Sequence, residues 1–166
     1  MKSYINIALT TVLLCTMVQP LAMAADFDKD AALKDAKNIT KGFAGSLQKE
    51  LQSAMKAGGP LNALQVCNIE AMPITAQSST DSDALVSRVS LKNRNPNNAP
   101  NEWQRAILED FDKRVAAGED PQPMASATVV KLDNGKHQFR FMKAVPTGGV
   151  CLVCHGQSID LSLIHI

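Results

Sequence analysis

Ile39, Phe43, Leu47, Leu51 and Met55 recur at every fourth residue, and Lys, Asp, Gln and Glu fill the opposite positions. This spacing predicts an amphipathic helix over 26–57, with Ala36 and Ala44 widening its apolar stripe. Gly42 and Gly45 lower the local propensity and mark a place for close packing. Gly58-Gly59-Pro60 should stop the helix, and Pro60 or Leu61 should open a second one. In that second helix Leu64, Cys67 and Ala71 share an apolar face, which puts Cys67 mid-helix and inward. Pro73 should kink or end it. After a turn-rich 77–83, the run 84–91 alternates well enough for a strand. Residues 92–100 hold two prolines and four asparagines and read as a loop.

A third helix is expected over 101–117, with Trp103, Ile107, Phe111 and Val115 as its buried stripe and Gly118 as its stop. Two apolar-rich runs, 125–132 and 137–145, then flank Asp133-Asn134-Gly135-Lys136, the strongest hairpin signal in the chain. A two-residue Asn134-Gly135 loop would pair Leu132 with His137, Val130 with Phe139 and Thr128 with Phe141 on the core face. Val129, Lys131, Gln138 and Arg140 would then face away. Helices followed by an antiparallel sheet make an α+β domain.

Composition adds a compartment. Lys2, the apolar run Ile5 to Val18 and the small-residue site Ala22-Met23-Ala24 have the form of a secretory signal peptide, cleaved after Ala24. The apolar run is shorter than the roughly 20 residues of a spanning helix. Domain 25–160 is therefore expected in the periplasm. Loss of residues 1–24 leaves 16 basic and 16 acidic side chains. A chain without net charge or a basic stripe gives no basis for nucleic-acid binding. The last six residues, Leu161 to Ile166, match with suitable codons a translated sequencing-library adapter, so 161–166 is read as a non-native tail.

Cysteines carry the chemistry. Cys151-Leu152-Val153-Cys154-His155 has the C-x-x-C-H spacing of c-type haem attachment. Each thiol adds across one vinyl group, and the adjacent histidine comes under the iron as an axial ligand. A zinc half-site would need a second ligand pair, which the sequence lacks, and a redox dithiol has no use for the histidine. The expected cofactor is one covalent haem c per chain. Cys15 leaves with the leader, so Cys67 is unpaired in an oxidising compartment. It leads a field of second axial ligands that also includes His137, Met55, Met72, Met124, Met142 or none. Burial of a free thiol on an apolar face is the bland alternative. Arg94 and Lys92, basic residues in the 92–100 loop, are candidates for the haem propionates.

The stretches Ala63-Leu64-Gln65-Val66-Cys67, Arg88 to Pro100 with its Arg-Asn-Pro-x-Asn-x-Pro run, and Cys151 to Gly156 resemble the PAS-like c-type haem domains of small exported bacterial proteins and sensor modules. The resemblance implies a PAS-like antiparallel sheet flanked by N-terminal helices. It also implies mixed His/Cys ligation, carried onto His155 and Cys67. A thiolate ligand would lower the potential, and its release on reduction would open the iron to a small diatomic gas. The function this implies is periplasmic redox or gas sensing, or low-potential electron transfer to a redox partner protein. The long first helix offers a homodimer seam. Two other functions fit the residues: a haem enzyme of peroxidase or nitrogen-oxide reductase type with an open distal site, and a haem-free binding module. No nucleophile elbow, H-E-x-x-H or phosphate loop is present.

Overall fold

A computed structural model describes residues 27–156. The segments read as a signal peptide (1–24) and as a tail (161–166, with His165) lie outside the described residues. The order of elements is α1 (Lys29–Gln65), a π-turn (Val66–Glu70), α2 (Ala71–Ser82), a 3-10 turn (Pro96–Asn98), α3 (Glu102–Ala116), β1 (Ala125–Lys131), β2 (His137–Lys143) and α4 (Gly149–His155). Helices plus a small antiparallel sheet make this an α+β fold, as the periodicities indicate. Among the described residues the sheet has two strands. No helix among them is long and apolar enough to cross a membrane.

Asp28 opens α1, its side chain accepting the Ala31 N–H at 2.9 Å. The predicted stop at Gly58-Gly59-Pro60 is found: two helices meet there at a kink, the second opening at Pro60, and the pair is labelled α1 throughout. Gly58 (φ −163°, ψ 20°) and Gly59 (φ 69°, ψ −156°) leave helical geometry for two residues, and the helix resumes at once. Gly59 sits at a positive φ that other residues rarely adopt. Gly42 and Gly45, read as close-packing sites, have open space around them.

Beyond the elbow the helix folds back along its first half, so that Ile39, Phe43 and Ser46 line one groove with Ser78 and Ser82. The 77–83 segment, expected as turns, is helical to Ser82. Its hydroxyls bond back within the helix: Ser79 Oγ donates to the Thr75 carbonyl at 3.1 Å, Thr80 Oγ1 to Ala76 at 3.1 Å and Ser82 Oγ to Ser78 at 2.5 Å. The turn-forming side chains thus satisfy themselves without leaving the helix. Asp83, in the left-handed region (φ 51°), ends it.

The run 84–91, expected as a strand, has no regular structure and pairs with no strand among the described residues. Val86 donates its N–H to Ser79 Oγ at 3.0 Å, and Ser90 donates to the Asn98 carbonyl at 3.1 Å. Alternation alone cannot make a strand where no ladder partner is offered.

The hairpin forms, but one residue out of the expected register. Lys131 faces His137, Val129 faces Phe139 and Ala127 faces Phe141. Gly135 donates to the Leu132 carbonyl (2.9 Å), Leu132 to the Lys136 carbonyl (2.8 Å), and Gly135 has φ 79°. This is a three-residue loop, a turn closed by a left-handed glycine, which competes with the two-residue Asn-Gly hairpin. A one-residue slip changes the facing partners on both sides of the sheet. Phe27 stacks on Phe139 at 6.1 Å. On the other face the Arg140 guanidinium lies 5.5 Å from the centre of the Trp103 ring of α3. The ribbon is therefore held between the start of α1 and α3. In α3 itself Phe111 is buried, whereas Val115 is 45% exposed and drops out of the predicted stripe.

Candidate functional site

Cys67 is displayed by the π-turn. In a regular helix Cys67 would share the face of Leu64 and Ala71, which is what the spacing predicts. The wider turn, closed by the Ala71 N–H on the Val66 carbonyl, inserts one residue into the repeat. Ala63, Val66 and Ala71 then point inward (2%, 8% and 1% exposed), and Cys67 turns out. The expectation of a buried Cys67 is thus corrected. Pro73, expected to kink or end the helix, is accommodated within α2 just after the wide turn. Its missing N–H and its ring fall where the ladder has already shifted by one residue.

The attachment motif forms α4, a helix of seven residues that Gly148 caps. Cys151, Cys154 and His155 stand at i, i+3 and i+4, the spacing that keeps three side chains on one helical face. Both thiols are half-buried and His155 is exposed. Gly156 ends the turn by donating to the Leu152 carbonyl at 2.9 Å. A Cβ at Gly156 would lie 2.4 Å from that same oxygen, so the chain can leave α4 in this direction only through glycine.

The loop between Ser90 and Pro100 is built to present one side chain to α4. Asn95 caps the Pro96–Asn98 turn, its Oδ1 accepting the Asn97 N–H at 2.9 Å, and Asn93 Nδ2 donates to the Asn95 carbonyl at 3.0 Å. From this frame Arg94 reaches across 60 residues of sequence to donate an Nη2 hydrogen to the Cys154 carbonyl at 2.9 Å. The carbonyl belongs to the last turn of a helix, where backbone oxygens lack intrahelical donors. Lys92 lies exposed on the same loop.

Electrostatics tie these pieces into one site. Crowding of the Cys67 thiol raises its pKa above the ordinary value; the Arg88 cation opposes this, Cys154 and Cys151 add to it, and Arg94 opposes it. The thiol is exposed overall, yet both arginines and Cys151 and Cys154 act on it through space. Burial lowers the pKa of His155, and Arg94 lowers it further. Cys67 thus lies within electrostatic reach of Cys151, Cys154 and Arg94, and Arg94 in turn touches the Cys154 backbone and acts on His155. The fold adds Arg88, which the sequence reading passed over because it sits in an apparent strand. Two of the other candidate second ligands have partners of their own: His137 packs against Phe27 at 6.2 Å, and Met124 is 1% exposed in the core.

The model of the Tll0287-like family matches residues 19–163. The chain belongs to the Tll0287-like family. That match spans the Cys67 turn, the Arg94 loop and the C-x-x-C-H helix of this Tll0287-like protein. No curated protein and no solved structure matches the chain.

The donor set can be weighed against the cofactor its spacing implies. Among the described residues no three His, Cys, Asp or Glu side chains gather as a cage for a bare metal ion. Two thiols and an imidazole on one face of a helical turn suit covalent haem instead. The Nε of Arg88 is buried without a hydrogen-bond partner, which suits a site whose ligand brings acceptors. The residues present fit the group.

Proposed function

We propose that this Tll0287-like protein is an exported c-type haem protein that works in redox or gas sensing, or in low-potential electron transfer. In this reading Cys151 and Cys154 carry the thioethers, His155 is one axial ligand and Cys67 is the other. The observation that carries it is the convergence of Cys67, on a π-turn, with the C-x-x-C-H helix, from sequence positions more than 80 residues apart. Haem bound by one imidazole and one thiolate supplies a one-electron centre of low potential.

The chain's own residues set the conditions for that chemistry. Arg94 holds the α4 backbone against the loop and so fixes where His155 stands. The positive charges of Arg88 and Arg94 offset a thiolate at Cys67. The π-turn, a feature often found at functional sites, lets Cys67 point out of a helix whose neighbours point in. Cys67 would hold the iron as a thiolate, and a Cys67 not so held would be kept as a thiol by local crowding.

The test is the optical and EPR spectrum of protein co-expressed with the c-haem maturation machinery, beside a Cys67→Ala variant. A pyridine haemochrome of one haem per chain is expected in both. The wild type should be six-coordinate and low-spin with thiolate character, and Cys67→Ala should lose that signature and rise in potential. An unchanged ferric spectrum and potential in Cys67→Ala would exclude the thiolate ligand. A five-coordinate high-spin wild type would favour an enzyme with an open distal site.

A further inference from the structure

Arg88 carries a buried donor, Nε, that no hydrogen bond among the described residues uses. It lies on the segment between α2 and the Arg94 loop, and its Nε is closed off from solvent with no partner. An unsatisfied buried donor is costly, and more so on a charged group. Such a group in a native protein calls for an explanation, a bound partner being one and strain, an ordered water or a catalytic role the others. The Cys67 sulfur does not: Arg88 acts on it through space, but Nε makes no hydrogen bond to it.

The surroundings say what kind of partner is missing. The charged and titratable groups that act on Cys67 are Arg88, Arg94, Cys151 and Cys154, and His155 is acted on by Arg94. Two guanidiniums, three thiols and an imidazole make this group positive, with no carboxylate among those that act on Cys67 or His155. A guanidinium edge made of Nε–H and one Nη–H matches a carboxylate with two parallel hydrogen bonds. Arg94 already commits an Nη2 hydrogen to the Cys154 carbonyl. Arg88 has no such commitment through Nε.

We infer that Arg88 is the anchor for a carboxylate of the ligand held between Cys67 and the 151–155 helix. The inference rests on the haem reading, in which that carboxylate is one of the macrocycle's propionates. Arg88 is then a positioning residue: thioethers fix one edge of the ring, and a carboxylate anchor on another edge prevents the ring from swinging about them.

Matured wild type, Arg88→Leu and Arg88→Lys test it with two readouts. Pyridine haemochrome counts covalent haem, and resonance Raman follows the propionate bending band, which moves with hydrogen bonding to the carboxylate. All three proteins should carry one haem per chain. The band should shift in Arg88→Leu and lie between the two in Arg88→Lys. Should Arg88→Leu fail to accumulate, a displaced band in the charge-conserving Arg88→Lys supports the assignment and an unmoved one overturns it. A full haem complement with an unmoved band in Arg88→Leu also overturns it. So does a change confined to the EPR signature of the iron–sulfur bond, which would assign Arg88 to Cys67. Absence of haem from the wild type itself overturns the parent reading and this assignment with it.

Discussion

Arg94 illustrates how much one side chain can organise. Its hydrogen bond to the Cys154 carbonyl joins a loop rigidified by asparagines to the helix that carries His155. The bond is exposed, so its net worth is modest, about 0.5–1.5 kcal/mol. Its local effect is larger, because α4 has only seven residues and a helix that short does not hold itself. Arg94→Leu should lower global stability by about that amount in urea titration. It should also reduce hydrogen-exchange protection at the Leu152 and Gly156 amides by more than elsewhere in the chain. Equal protection in both proteins would show that α4 is held by other contacts. The sequence reading offered Arg94 as a propionate ligand; the contact to a backbone oxygen 60 residues away was not legible, because nothing local in Arg-Asn-Pro-x-Asn-x-Pro says which carbonyl the guanidinium will meet.

At the scale of elements, legibility followed local signals. The cap of α3 is one: Asn101 Oδ1 accepts the Gln104 N–H and Gln104 Oε1 accepts the Asn101 N–H, both at 2.9 Å. This capping box fixes the start of the helix within a residue of its expected place. Asn101→Ala should cost about 1 kcal/mol, while Asn101→Asp should keep most of the stability. Thermal or urea melts of the two variants check it, and an Asn101→Ala protein as stable as wild type would mean that the box contributes nothing. Where a signal was ambiguous the reading went astray. Asn-Gly serves two hairpin loops that differ by one residue, so the turn was found and the register was not. The π-turn left no signature, since one extra residue in a helix moves Cys67 from the inner to the outer face without altering composition. The serines and threonines of 77–83 bond to turns or to a helix equally well, and packing against α1 decided for the helix.

For the whole molecule, the small core bears on the cofactor. Among the described residues the fully buried apolar side chains are Phe43, Ala63, Val66, Ala71, Phe111 and Met124, two of them alanines. Meanwhile Ile69 (57%), Met72 (40%), Val150 (39%) and Leu152 (50%) stand exposed on the two segments that carry Cys67 and the attachment motif. Fully covering one large apolar side chain stabilises a fold by about 1.5–3 kcal/mol, so partial cover of these four by a flat apolar ring contributes on the order of a few kcal/mol. In a domain of this size that corresponds to a rise in Tm of roughly 10 °C. The haem-loaded protein should therefore melt about 10 °C above a Cys151→Ser/Cys154→Ser variant made without haem. The protection gained in hydrogen exchange should concentrate in 66–72 and 149–156, with the β1–β2 hairpin little changed. A Tm that does not move, or protection spread evenly over the chain, would mean that the two segments are already covered without a cofactor and that the small core is sufficient by itself.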